Sequence, residues 1–258
     1  MQPDPLDTFR LDGRTALVTG ARREIGRAIA LGLAGVGARL AIHHVGTEEE
    51  TRDAAGVVAT IEAGGGTARA FAQDFSQPEA GVRLAEAVKA WAPIDILVLN
   101  ASIEIPEDWQ TISGAHFEQQ ITVNLRSTLE LLQALVPPMG ERGWGRVVTI
   151  GSVQQVMPHP AMMVYAGTKA AQFNWVLNLA RQYGGHGVTV NNLAPGAILT
   201  ARNQAQMQRE GAALAQRIPV GRLGAPDDLV GAALLLCSDA GRYITGGNLY
   251  VDGGRHIA

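Results

Sequence analysis

Residues 14–31 read RTALVTGARREIGRAIAL. A short apolar run, Ala16-Leu17-Val18, enters TGARREIG (19–26), and a helix-patterned run from Arg27 to Leu31 leaves it. A strand that turns directly into a helix aims the free N–H groups of the first helical turn, and the positive end of the helix dipole, at one point, which suits a phosphate. Gly20 and Gly26 are placed for the tight turn and for close helix packing, whereas Glu24 puts a carboxylate where such turns usually carry glycine. A G-x5-G spacing arises easily in a chain with 31 glycines, so the turn needs support from elsewhere.

That support begins with alternation. Strand-type runs at 14–19, 38–44, 67–72, 95–100, 145–151, 187–194 and 247–254 are separated by helix-length stretches at 25–35, 48–63, 78–91, 113–136, 162–184 and 226–238. This is the pattern of βαβ units, and several strands are apolar without a break, as strands covered on both faces are. No linker, repeat or composition break interrupts residues 1–258. One α/β domain is therefore expected: a Rossmann-type, doubly wound, seven-stranded parallel sheet with helices on both faces. The segment 195–225 reads as long and irregular, the form of a loop that covers a substrate.

Composition narrows the function. A net charge of −3 with scattered Lys and Arg argues against a nucleic-acid or anionic-membrane surface and for a small-molecule partner. The opening MQPDPLDTFRLDG lacks an apolar core of signal-peptide type, and no segment approaches the roughly 18 apolar residues of a membrane span, so a cytoplasmic location is expected. The single cysteine, Cys237, ends the apolar run AALLLC (232–237) and reads as a buried thiol, with no disulfide and no metal site expected.

The most informative short stretch is YAGTK (165–169), near the start of a helical run. Residues four apart share a helix face, so the Lys169 ammonium sits beside the Tyr165 phenol and is expected to stabilise phenolate, making an acid/base usable near neutrality. With four tyrosines in the chain, and Lys89 and Lys169 its only lysines, such a pairing arises by chance at about 0.03. Ser152 follows the strand GRVVTIG, where the carboxyl edge of the sheet would present its hydroxyl to the same crevice.

Taken together these stretches resemble the short-chain dehydrogenase/reductases, in their roughly 250-residue single-domain branch. TGARREIG is similar to the family's TGxxxGxG, LNAS (99–102) to its NNAG, and Asn124 in ITVNLRS to its helix asparagine. Ser152, YAGTK, NNLAPGAILT (191–200), RLGAPDD, the TGG at 245–247 and VDGG complete the resemblance along nearly the whole chain. It implies Tyr165 as general acid/base, Lys169 as the group that lowers its pKa and holds the nicotinamide ribose, and Ser152 as the donor that orients the substrate oxygen. It further implies that Asn124 anchors a water leading from Lys169 to solvent. Asp74 and Phe75 would lie near adenine, Asn100 and Ala101 beside the ribose, and Pro195, Gly196, Ile198 and Thr200 at the carboxamide end, with Gly20, Ile25 and Gly26 at the pyrophosphate.

In such proteins an acid closing the second strand accepts from the adenosine 2′-hydroxyl, whereas a 2′-phosphate needs cations. Here that slot is His44, and Arg22 and Arg23 sit in the first turn, so NADP(H) is expected over NAD(H). Three departures stand out: Glu24 for the middle glycine, Leu99 for the first asparagine of NNAG, and Ser102 for its glycine. Pteridine reductases are similar in carrying a charge at the first and a serine at the last, though their charge is an arginine. Glu24 is expected to turn from the pyrophosphate and pair with Arg22, Arg23 or Arg27, the alternative being that it reaches the substrate mouth or modulates cofactor affinity. Substrate contacts are expected from Ser152, Gln154 and Tyr165, with Gln155, Met157, His159, Met162 and the 197–217 segment as further wall. The function implied is interconversion of a carbonyl and a secondary alcohol by a homo-oligomer, commonly a tetramer in this family. A sensor that binds the nucleotide without turnover, and a lyase or epimerase on the same scaffold, remain open.

Overall fold

The computed structural model describes residues 4–258. Seven strands, β1 (Thr15–Val18), β2 (Arg39–His44), β3 (Ala68–Ala72), β4 (Ile96–Leu99), β5 (Gly145–Ile150), β6 (Val188–Pro195) and β7 (Asn248–Val251), form one sheet in the order 3-2-1-4-5-6-7. Every pairing is parallel, as expected. The order reverses between β1 and β4, which opens a crevice outside their carboxyl ends.

Strand periodicity explains the layers. Ala16, Val18, Leu40, Ile42, Ile96, Val98, Val148 and Ile150 face one way and bury against α1 (Glu24–Gly35), α2 (Glu48–Ala63) and α8 (Val230–Cys237). Their alternates Leu17, Ala41, Leu97, Leu99, Val147 and Val190 face the other way, against α3 (Ala80–Trp91), α5 (Ser127–Glu141) and α6 (Met163–Tyr183). Successive strand side chains point to opposite faces, so a strand covered on both sides need not alternate apolar with polar, and β1, β4, β5 and β6 are buried throughout, with Thr149, Asn191 and Asn192 hydrogen-bonded inside. Edge strand β3 is only partly buried.

Two elements differ from expectation. The stretch 113–136 is α4 (Gly114–Ile121), a π-turn over Thr122–Arg126, and α5, which continues through Pro137 and Pro138 to Glu141. Those prolines, in the last turns of the helix, donate no N–H, so the loss is confined to the carbonyls one turn back. The 195–225 segment is not irregular throughout. It carries α7 (Gln204–Gln216), whose QAQMQREGAALAQ is made almost wholly of good helix formers without a strong apolar stripe. The base of this excursion is closed by a bridge between Ile198 and Gly224, with Leu199 N–H donating to the Gly224 carbonyl and Gly224 N–H to that of Ala197. No helix among the described residues is long and apolar enough to cross a membrane.

A Cβ at Gly26 would strike the Gly20 carbonyl oxygen and lie 2.6 Å from Asn100 Nδ2. Gly26→Ala should therefore cost about 1–3 kcal/mol in a urea melt, because backbone on one side cannot yield.

Candidate active site

The first turn is built from three elements. Thr19 Oγ1 accepts from the N–H groups of Asn100 and Ala101 at 2.9 and 3.0 Å, and Asn100 Nδ2 donates to the carbonyls of Thr19 and Gly20 at 2.9 and 3.2 Å. Gly20 takes φ 64, which glycine allows freely. No side chain caps α1, so the N–H groups of Glu24, Ile25 and Gly26 have no acceptor within the helix. That uncapped end, with backbone approach kept open by Gly20 and Gly26, fits an anionic pyrophosphate.

His43 was missed in the sequence. Its Nδ1 accepts from Gly20 N–H at 3.0 Å and its Nε2–H donates to the Gln73 carbonyl at 2.8 Å, while the ring stacks on Phe75 at 4.3 Å. Burial pushes the imidazole down to about 4, so it stays neutral and keeps the lone pair that holds the turn. Only its place beside His44 at a strand end could have marked it.

Arg22 and Arg23 part company. Arg22 is bound to α2 by ion pairs with Glu50 (2.8 Å) and Asp53 (2.6 Å), whereas Arg23 is exposed and its guanidinium has no partner among the described residues. His44 is buried with Nδ1 unpaired, and burial lowers its pKa, with Glu50 pulling it up and Arg22 pushing it down. Asp74 accepts from Ser76 N–H and Oγ, beside buried Phe75.

Beyond the carboxyl ends of β4, β5 and β6 the remaining residues converge. Tyr165, Lys169, Ser152 and Asn124 are all buried. Lys169 Nζ donates to the Ile150 carbonyl at 2.8 Å and lies 5.6 Å from the Tyr165 ring centroid. Ser152 Oγ accepts from Gln154 N–H at 3.1 Å, and Gln154 Oε1 is buried without a partner. Asn124, in the π-turn, clamps Ile103 through Oδ1 and Nδ2, both at 2.9 Å, while its carbonyl accepts from Gln172 Nε2 and Thr128 Oγ1. Tyr165 departs from expectation: burial and then the Glu104 charge push its phenol up to about 12, against weaker opposition from Arg202, Ser152 and Ser102. Lys169 is pushed down to about 7, first by burial and then by Arg202, with Glu104 opposing. Desolvation of both groups outweighs their proximity. Ser102, Glu104 and Arg202 thus lie close to Tyr165 and Lys169; the sequence marked Ser102 as a departure and Arg202 only as part of the 197–217 segment.

Glu24 also corrects its expectation. It pairs with none of the neighbouring arginines; its Oε1 accepts from Ala201 N–H at 2.9 Å. Pro195 ends β6, Gly196 packs so closely on Asp252 that a Cβ would lie 2.6 Å from that residue's own, and Ile198 and Thr200 continue into the strap that Ala201 completes.

Fold and site define an oxidoreductase that works with a nicotinamide nucleotide on a CH–OH or carbonyl group. A family model described as enoyl-(acyl carrier protein) reductase matches residues 20–256, and the chain belongs to the short-chain dehydrogenase/reductase family. It is 35% identical over 250 residues to L-rhamnose 1-dehydrogenase (NAD(P)(+)) of Azotobacter vinelandii, covering 95% of this chain and 97% of that one. Among solved structures, a 3-oxoacyl (acyl-carrier-protein) reductase from Agrobacterium tumefaciens with NADP bound matches with TM-score 0.92 and 42% identity over 98% of both chains. A gluconate 5-dehydrogenase from Burkholderia cenocepacia, in complex with NADP and tartrate, matches at TM-score 0.92 and 33% identity, over 99% of this chain and 100% of that one.

His43→Phe keeps a ring on Phe75 but leaves Gly20 N–H without its acceptor, and should cost about 1–3 kcal/mol at neutral pH. The unfolded imidazole takes its proton near 6.5 and the folded one near 4, so its contribution is full above 6.5 and is lost as pH falls through that window. Urea melts from pH 7 to 4 should fall less steeply in His43→Phe than in the parent, by up to about 3 kcal/mol.

Proposed function

We propose that this chain interconverts a secondary alcohol and its ketone using NADP(H), with Tyr165 as the acid/base. The observation that carries the reading is the convergence of Tyr165, Lys169 and Ser152 at the carboxyl end of β5, on the sheet edge that also bears the uncapped start of α1. Gly20, Ile25 and Gly26 would hold the pyrophosphate, Asp74 and Phe75 the adenine end, and Asn100, Ala101, Pro195, Gly196, Ile198 and Thr200 the nicotinamide half. The nicotinamide supplies or accepts the hydride when bound.

The chain's own part is proton and geometry. Ser152 donates to the substrate oxygen, and Tyr165, protonated at neutral pH with its pKa near 12, delivers a proton to that oxygen as the carbonyl is reduced. Lys169, near 7, exchanges its own proton around neutrality and can restore the phenol. Asn124 fixes the 100–103 backbone against α6, where its Nδ2 reaches Thr168 Oγ1 at 3.2 Å. Because a proton must be available for reduction, the reductive rate should fall as pH rises above about 7, with oxidation favoured there; a flat profile from 6 to 9 would count against this role for Lys169.

The cofactor preference rests on Arg23, which is free to meet a 2′-phosphate, and on the lack of a free acid at the end of β2: Glu50 is held by Arg22 and by Val45 N–H. The charged pair Glu104 and Arg202 beside Tyr165 suits a hydroxylated substrate better than a long acyl chain. A panel of L-rhamnose, gluconate and a 3-oxoacyl thioester, with NADP(H) and NAD(H) followed at 340 nm, tests both points. Tyr165→Phe should lower turnover by about 10²–10⁴ while NADPH still binds. Arg23→Ala should weaken NADPH about tenfold and leave NADH nearly unchanged.

Self-association fits the apolar groove between α5 and α6, where Leu132, Val136, Trp175 and Leu179 line a hollow flanked by exposed Leu129 and Leu177. Light scattering should give the mass of a dimer or tetramer, and Leu129→Asp should reduce it.

A further inference from the structure

Glu24 is the residue that least resembles its family slot, and it occupies that slot at a conformational cost. Its φ is 52, in the left-handed region that glycine takes freely and other residues rarely adopt. It also places a carboxylate at the start of α1, among N–H groups that an anionic pyrophosphate would use. A side chain kept under both penalties has a compensating contact, and the structure supplies one: Oε1 accepts from Ala201 N–H at 2.9 Å, across 177 positions of sequence.

Ala201 lies in a strap with few other anchors on this side. The strap leaves β6 at Pro195, is bridged at its base between Ile198 and Gly224, and folds on itself through Asn203, whose Oδ1 accepts from Thr200 N–H at 2.9 Å and whose Nδ2 donates to the Ile198 carbonyl at 2.8 Å. Its next residue, Arg202, donates to the Ser102 carbonyl at 3.3 Å, on the segment that leaves β4. The strap is thus fastened to the cofactor turn on one side and to the β4 segment on the other, and the second fastening sets Arg202 beside the catalytic tyrosine.

We propose that Glu24 is a positioning residue that clasps the 198–203 strap to the first turn, so that the wall of the substrate cleft is fixed by the same turn that receives the cofactor. The inference rests on the oxidoreductase reading above. It predicts two separable effects: loss of the carboxylate removes repulsion from a bound pyrophosphate and tightens NADPH, while loss of the clasp loosens the strap, weakens substrate and offsets part of that gain through Ile198 and Thr200.

Glu24→Gly and Glu24→Gln separate these effects. Glycine relieves the left-handed φ and removes the clasp; glutamine removes the charge and keeps an oxygen acceptor. Tryptic cleavage at the exposed Arg202, Arg209 and Arg217, measured without ligand, reads the strap directly. Glu24→Gly should be cut at these sites at least fivefold faster than the parent with no fall in melting temperature, and Glu24→Gln should return towards the parental rate. NADPH titration should show tighter binding in Glu24→Gln, where the charge is gone and the strap is held, and a smaller gain in Glu24→Gly, where the loosened strap carries Ile198 and Thr200. For whichever of L-rhamnose, gluconate or the 3-oxoacyl thioester is turned over, Glu24→Gly should raise KM several-fold with a smaller change in kcat, and Glu24→Gln should restore it. Equal cleavage rates in all three proteins, or faster cleavage in glutamine and glycine variants alike, would overturn the clasp. Failure of the parent itself to bind NADPH would instead overturn the oxidoreductase reading, and the cleavage rates would still decide the clasp.

Discussion

The junction between the end of β1 and the end of β4 is the contact on which the crevice depends. Thr19-Gly20 and Asn100-Ala101 are joined there by four hydrogen bonds, each between a side chain of one pair and the backbone of the other, and this locks two loops whose helices depart to opposite faces of the sheet. Gly26 has to lack a side chain because Asn100 and the Gly20 carbonyl fill that space. The strand order reverses between β1 and β4, and the polar crosslink lets the crevice outside their ends stay open to a ligand while remaining rigid beneath it.

The same economy governs the other side of the turn. His43 supports Gly20 from β2 and is kept neutral by burial, so its acceptor is present across the physiological range. Arg22, one residue before the exposed Arg23, is turned onto Glu50 and Asp53 and fastens α2 to the turn. Adjacent arginines therefore differ: the charge of Arg22 is matched within the fold, and Arg23 is exposed. The ion pair also neutralises Glu50, which would otherwise stand as an acid close to the end of β2.

Six of the seven strands were legible in the sequence to within a residue, and the last ends three residues short of the run 247–254, because burial on both faces leaves mostly apolar runs bounded by turns. The candidate catalytic set could be picked out because Tyr165 and Lys169 share a helix face at a spacing that chance seldom supplies. Three things were not legible, each for a physical reason. Helix α7 has strong intrinsic propensity but little apolar periodicity, so its pattern resembled loop. The partner of Glu24 lies at Ala201, and a backbone N–H leaves no mark in a sequence. The balance of burial and charge at Tyr165 depends on Glu104 and Arg202, which reach the cleft from two loops whose meeting is set only by the finished fold.

That balance bears on how the site is armed. A lysine four residues along the helix invites the view that it lowers the phenol, but Lys169 gives its hydrogen bond to the Ile150 carbonyl and is itself destabilised as a cation by burial. The phenol accordingly stays protonated, and Lys169 is the member of the pair that titrates near neutrality. Arg202 pulls both groups towards their deprotonated forms and Glu104 pulls both the other way, so their placement tunes the pair as a unit. Since Arg202 rides on the strap that Glu24 fastens, the chemistry at Tyr165 and the geometry of the first turn are linked through a single hydrogen bond at Ala201.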